Sequence, residues 1–188
     1  TTYEMICEQY VGDKTLASLS GFYYKIKDLI TLRTDPADGL LVYQNTSRID
    51  AQGIEIEIEH KWQNGTENRV SYSFQETKDL DTNGILTNSP RHLAKLNTLV
   101  PLIKEKVYSG LEVQFTSKRR TLASNTTGEY FITNLTLTSM RFVKGLEASA
   151  SVYNLFDRRH SDPGSTEHTM DAIAQDGRNY RVKLYYRF

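Results

Sequence analysis

Arg178-Asn-Tyr-Arg-Val-Lys-Leu-Tyr-Tyr-Arg-Phe188, the last eleven residues, alternates with period two. Tyr180, Val182, Leu184, Tyr186 and Phe188 fall on one face of an extended strand. Arg181, Lys183, Tyr185 and Arg187 fall on the other. One face is apolar with aromatic residues at both ends, and the other is charged. That suits a strand with lipid on one side and water on the other. A soluble sandwich can contain one such strand, so the remainder of the chain must decide.

Gly53-Ile-Glu-Ile-Glu-Ile-Glu59 repeats the pattern in its sharpest form. A helix would scatter its three Ile and three Glu around the circumference, whereas a strand separates them cleanly. Val70, Tyr72 and Phe74 oppose Arg69, Ser71, Ser73 and Gln75 in the same way. Val107, Ser109, Leu111, Val113 and Phe115 oppose Glu112, Gln114 and Thr116. Leu146, Ala148, Ala150 and Val152 oppose Glu147, Ser149 and Ser151. The pattern predicts about nine strands, near 3–11, 15–32, 50–62, 66–78, 92–100, 105–118, 129–142, 146–155 and 178–188.

The intervening segments fall into two kinds. Those at 12–14, 63–65, 101–104 and 143–145 are short. Those at 33–49, 79–91, 119–128 and 156–177 are long and polar. Short and long alternate, as expected of an outer-membrane barrel with tight periplasmic turns and long external loops. Open strand edges in lipid would leave backbone groups unpaired. The expectation is therefore an all-β, antiparallel transmembrane β-barrel, of which residues 1–188 form the C-terminal portion.

Composition removes other classes. With 23 basic and 23 acidic residues and no long basic run, nothing suggests nucleic acid as a partner. The mean hydropathy of -0.53 argues against spanning helices but not against a barrel, half of whose side chains face water. Cys7 is the sole cysteine, and four His with one Cys make no compact zinc pattern. No Gly-rich loop enters a helix and no triad motif occurs, so neither an enzyme nor a bound cofactor is expected.

Ser151-Val-Tyr-Asn-Leu-Phe-Asp-Arg-Arg-His160, followed by a long loop and the Gly177–Phe188 strand, resembles the C-terminal end of TonB-dependent outer-membrane receptors. Segments Ser20–Ile30, Ala51–Glu57 and Asn88–Asn97 are similar to the same family. The resemblance implies a bacterial outer-membrane barrel of the 22-strand type. Its N-terminal plug and first strands are expected to lie outside this chain. It also implies active uptake of a scarce solute, foremost a ferric-siderophore, driven by the TonB complex through an N-terminal contact segment. A passive porin-like barrel and a soluble all-β binding module are the alternatives.

Candidate residues follow from this frame. Arg91, His92, Arg119, Arg120, Arg158, Arg159, His160 and His168 lie in or beside external loops, where clustered cations would attract an anionic chelate or lipid phosphates. Glu55, Glu57, Glu59, Glu112, Glu147, Arg181 and Lys183 are expected to face the lumen and a plug, with Arg69 and Arg187 as further counter-charges. The spacing of His160, Asp162, Glu167, His168 and Asp171 fits no compact metal motif. Asn154 and Asp157 are expected to satisfy backbone donors at a strand end. Tyr180, Tyr186 and Phe188 are read, through the resemblance, as a signal to the outer-membrane assembly machinery. Outer-membrane lipid and lipopolysaccharide complete the expected partners.

Overall fold

Each alternating segment forms a strand in the computed structural model. It describes residues 1–81 and 83–188, the side chains at 46, 47 and 141–143 excepted. The strands are β1 (Thr2–Val11), β2 (Thr15–Thr34), β3 (Leu41–Lys61), β4 (Glu67–Asp79), β5 (Gly84–Ile85), β6 (His92–Ile103) and β7 (Val107–Thr116). There follow β8 (Arg119–Arg120), β9 (Thr126–Thr127), β10 (Tyr130–Val143), β11 (Leu146–Tyr153), β12 (Ser161–Pro163), β13 (Ala172–Ala174) and β14 (Asn179–Tyr186). Nine long strands pair antiparallel in chain order, β1-β2-β3-β4-β6-β7-β10-β11-β14. No helix occurs among the described residues.

Register sorts the side chains into two continuous faces. Cys7, Leu19, Ile56, Tyr72, Ala94, Phe115 and Phe131 form one cross-strand row. Gln9, Ala17, Ile58, Val70, Leu96, Val113 and Thr133 form the next. Glu59, Arg69, Asn97, Glu112 and Asn134 form a row on the opposite face. A register slip of one residue would exchange the faces, so a few such rows fix the pairing of the whole sheet.

The sheet is a single layer. Ile49 and Tyr130 are the buried hydrophobic side chains among the described residues, and Ile54, Ile56 and Ile58 stay 41–46% exposed. A sandwich would cover that face with a second sheet; none of the described strands does so here. β1 and β14 each pair on one side and leave the other edge open.

Two expectations about the connections need correction. Residues 33–49 are not a long loop, because β2 and β3 continue as a paired hairpin to Thr34↔Leu41 and leave only the turn at 35–40 between them. The register shifts between Ile26 and Ile30, where Asp28 has a φ of 56°, and the bulge admits an extra residue that period-two reading cannot see. Pro101 lies within β6, beside a second register shift before Ile103, rather than in the turn. The other long connections are structured too. β5 pairs with β4, β8 with β9, and β12 with β13.

Candidate functional site

The loop end is organised by Arg119. Its guanidinium donates to Asn88 Oδ1 at 3.0 Å, to the Tyr130 hydroxyl at 3.2 Å and to the Ser161 carbonyl at 3.5 Å. It also pairs with the Asp162 carboxylate and lies 5.7 Å from the Tyr130 ring centroid. One buried side chain thus ties together the 80–91, 117–129 and 154–178 connections. Asp162 pulls β12 onto β8 and β9, and the His160 ring packs on Tyr130 at 4.4 Å.

Asp171 makes a second tie. Its carboxylate accepts from Thr121 Oγ1 at 2.7 Å, Ala123 N–H at 3.0 Å and Asn125 Nδ2 at 3.0 Å. These donors, Asn125 first, then the Ala123 amide and Thr121, hold its pKa below the ordinary 3.8. A carboxyl whose folded pKa is depressed stabilises fully above the unfolded value and loses that contribution as pH falls through the folded one. Protection of the Ala123 amide from hydrogen exchange, corrected for intrinsic rate, should therefore hold from neutral pH to about 5 and decline below about 4. Flat protection down to pH 3 would contradict this. Asp81, likewise lowered by its hydrogen bonds from Arg48, anchors the β2–β3 hairpin to the 80–91 connection at 3.0 Å.

Asn154 and Asp157 behave as the sequence suggested. Asn154, at φ 51°, accepts from Arg158 N–H at 2.8 Å. Its Nδ2 donates to the carbonyls of Arg158 (3.0 Å) and Asp176 (3.3 Å), joining the two ends of the loop. Asp157 Oδ1 accepts from Arg178 N–H at 2.8 Å and occupies the space where a Cβ at Gly177 would sit, at 2.6 Å.

The remaining loop candidates are distributed unevenly. Arg120 donates to the Ile85 carbonyl at 3.3 Å and Ser124 Oγ at 2.9 Å. Arg91 pairs with Glu76 at 2.9 Å. His168 Nδ1 accepts the Ser165 N–H at 3.1 Å and so closes its own turn. His92 is on the apolar face, its ring 5.2 Å from Phe74 and Nδ1 2.8 Å from the Tyr72 hydroxyl. Arg158 and Arg159 are exposed. Just below them the polar face carries an open depression of about 490 Å³, lined among others by Tyr153, His160, Gln175, Asn179 and Arg181. Its donors could orient an anionic, oxygen-rich solute.

Glu55, Glu57, Glu59, Arg69, Glu112, Glu147, Arg181 and Lys183 share the polar face. Arg69 pairs with Glu59 and sits 3.9 Å from Glu57, while Glu55 accepts from Ser73 at 3.2 Å and Glu112 from Asn134 at 3.3 Å. Arg181 lies over the Tyr153 ring at 5.4 Å, and Arg187 over the Tyr185 ring at 5.6 Å. Glu147 and Lys183 border one depression with Tyr185. Tyr180 and Tyr186 project from the opposite face, and Phe188 lies 6.3 Å from Tyr186, fully exposed. The sequence reading missed the clasp roles of Asn88, Thr121, Tyr130 and Asp162. Asp162 and Asp171 drew notice only as unlikely metal ligands.

Over residues 4–155 the chain matches the family model described as TonB dependent receptor-like, beta-barrel. It is 31% identical over 122 residues to the ferric-pyoverdine BN7/BN8 receptor of Pseudomonas putida, covering 63% of this chain and 15% of that protein. Its fold is similar to the ferric-catecholate import receptor Fiu of E. coli K12, with a TM-score of 0.75 and 16% identity over 100% of this chain and 27% of that one. It is also similar to the ferric yersiniabactin uptake receptor FyuA of Yersinia pestis, with a TM-score of 0.77 and 19% identity over 100% and 29%. The ferripyoverdine receptor of Pseudomonas aeruginosa, solved bound to ferripyoverdine, gives a TM-score of 0.73 and 19% identity over 98% and 26%. The chain thus spans under a third of the length of each of these relatives. It belongs to the TonB dependent receptor-like β-barrel family, whose barrels sit in the outer membrane of Gram-negative bacteria.

Proposed function

We propose that this chain supplies barrel wall and external loops to a receptor for TonB-driven uptake of a ferric-siderophore. The observation that carries the reading is the pairing of a two-faced barrel sheet with an inter-clasped loop end, in a chain related to a ferric-pyoverdine receptor. In this reading residues 1–188 are the C-terminal portion of the barrel. β1 and β14 pair with strands beyond this chain, and a plug fills the lumen. The acidic and basic residues around Arg69 face that plug across water, where ion pairs are individually weak and exchangeable. Arg158, Arg159, His160 and Arg181 contact the ferric chelate, while Arg119 and Arg120 hold the loops that present it.

The test is uptake of radiolabelled iron–pyoverdine by cells carrying the full receptor. Uptake should disappear when either the receptor or TonB is deleted. Receptor-dependent uptake that persists without TonB would overturn the reading and favour a passive pore.

The aromatic row at β14 belongs to the same proposal. Tyr180, Tyr186 and Phe188 form an exposed aromatic row that the outer-membrane assembly machinery recognises. Phe188→Ala in the full receptor should slow its insertion several-fold in pulse-labelled cells, and assembly at normal rate and yield would contradict the role.

A further inference from the structure

On the polar face one cross-strand row runs obliquely from the loop end toward the short turns. Asn134, Glu112, Asn97, Arg69 and Glu59 stand side by side on β10, β7, β6, β4 and β3. Asn134 lies nine residues before the end of β10 at Val143, Asn97 six before the end of β6 at Ile103, and Glu59 two before the end of β3 at Lys61. The row therefore descends as it crosses the sheet, as strand tilt in a barrel requires. Four strand spacings make it about 19 Å long.

An open depression of about 430 Å³ follows this row, lined among others by Glu59, Arg69, Asn97, Glu112, Asn134 and Tyr153. Asn134 and Tyr153 also line the loop-end depression, and the two concavities meet at these side chains. Gly110 and Thr136 belong to the lower one, and their register row runs on through Ser151 to Arg181 in the upper one. Gly110 puts no side chain in the way.

The two depressions offer different chemistry. The upper one has Arg181 and His160 in its wall. In the lower one the cations are already paired, Arg69 with Glu59 and Lys61 with Glu67. An anionic centre gains little there, and the Glu112 carboxylate repels it. What the lower site offers a solute is neutral hydrogen bonding from the Asn97 amide and the Thr136 and Tyr153 hydroxyls. A site that a solute must also leave has to be weak in this way.

We propose that this inclined depression is an inner subsite for the solute. It takes the amide and hydroxyl groups of an oxygen-rich chelate that has left the cationic site at the loop end. The inference rests on the receptor reading above and deepens it by giving the lumen wall from β3 to β10 a binding role of its own.

The test places a photo-crosslinking side chain in the full receptor in cells and supplies iron-loaded pyoverdine carrying a tritium label. At Asn179, in the upper depression, the solute should crosslink with or without TonB. At Asn97 it should crosslink only when TonB is present. At Ala94, on the apolar face of the same strand, it should not crosslink. Gly110→Leu should lower the Asn97 crosslink and the uptake rate several-fold and leave the Asn179 crosslink as in the parent. A Cβ at Gly110 meets nothing nearer than the Thr136 carbonyl oxygen at 3.9 Å, so the sheet should accept the substitution. Crosslinking from Asn97 to the receptor's own plug and none to the solute, in cells that import the iron, would overturn the subsite. So would an Asn97 crosslink that forms equally without TonB, or a Gly110→Leu receptor with parental crosslinking and uptake. Loss of the Asn179 crosslink together with TonB-dependent uptake in the parent would instead remove the receptor reading, and the subsite with it.

Discussion

Arg119→Met in the full receptor should destabilise the external loops by about 2–3 kcal/mol. Removing one partner of a buried ion pair costs about 3–5 kcal/mol. That range is lowered here because Asp162 is 37% exposed and water takes over part of its charge. Met keeps much of the aliphatic volume, so the loss reports the guanidinium rather than a cavity. Hydrogen exchange should accelerate together in the 80–91, 117–129 and 154–178 connections while the strands of the wall stay protected. Independent responses of the three connections would mean that Arg119 does not link them. Arg119→Lys should recover little, since an ammonium cannot reach Asn88, Tyr130 and Asp162 from one position as the planar fork does. Ligand affinity should fall through loop disorder, with Arg158 and Arg159 still in place.

Much of this was legible in the sequence because strand faces are a local property. Ile54, Ile56 and Ile58 announce their face without knowledge of any partner. The Asn154–Asp157 step likewise carries its own geometry, as both side chains bond to backbone within a short stretch or across one loop. The loop clasps are different. Arg119 meets Asp162 across 43 positions and Asp171 meets Thr121 across 50, and no periodicity encodes such meetings. Polar loop residues therefore read as solvated or ligand-binding when the structure employs several of them to fasten loops. The same blindness hid the β2–β3 hairpin, whose bulge at Asp28 breaks the alternation that would have extended both strands.

This division has a functional consequence. If Arg119, Arg120, Asp162 and Asp171 are occupied within the loops, a ligand must be recognised by what remains exposed, and ligand and scaffold residues can vary separately. On the proposed function, exposed positions such as Arg158 and Arg159 are free to vary with the solute without dismantling the loop framework.

Gly53→Val should be the most damaging single substitution in the wall, at about 3 kcal/mol or more. Gly53 lies directly opposite Phe22 on the polar face, and Phe22 stacks on Tyr24 at 4.9 Å. A Cβ at Gly53 would sit 2.6 Å from the Phe22 ring and would also strike the Phe74 backbone carbonyl. The ring can rotate away, but the carbonyl belongs to the adjacent strand and can move only by opening the β3–β4 pairing. The urea midpoint of the full receptor should drop, and the folded fraction on unheated gels with it. Gly21 gives the internal control, because it lies on the same strand pair facing the other way and has open space above it. Gly21→Ala should therefore leave the midpoint nearly unchanged. Phe22→Ala combined with Gly53→Ala should recover part of the loss, since it removes the ring conflict and leaves the carbonyl conflict in place. Equal tolerance at the two glycines would mean that composition alone, and not the ring lying over Gly53, explains their presence in these strands.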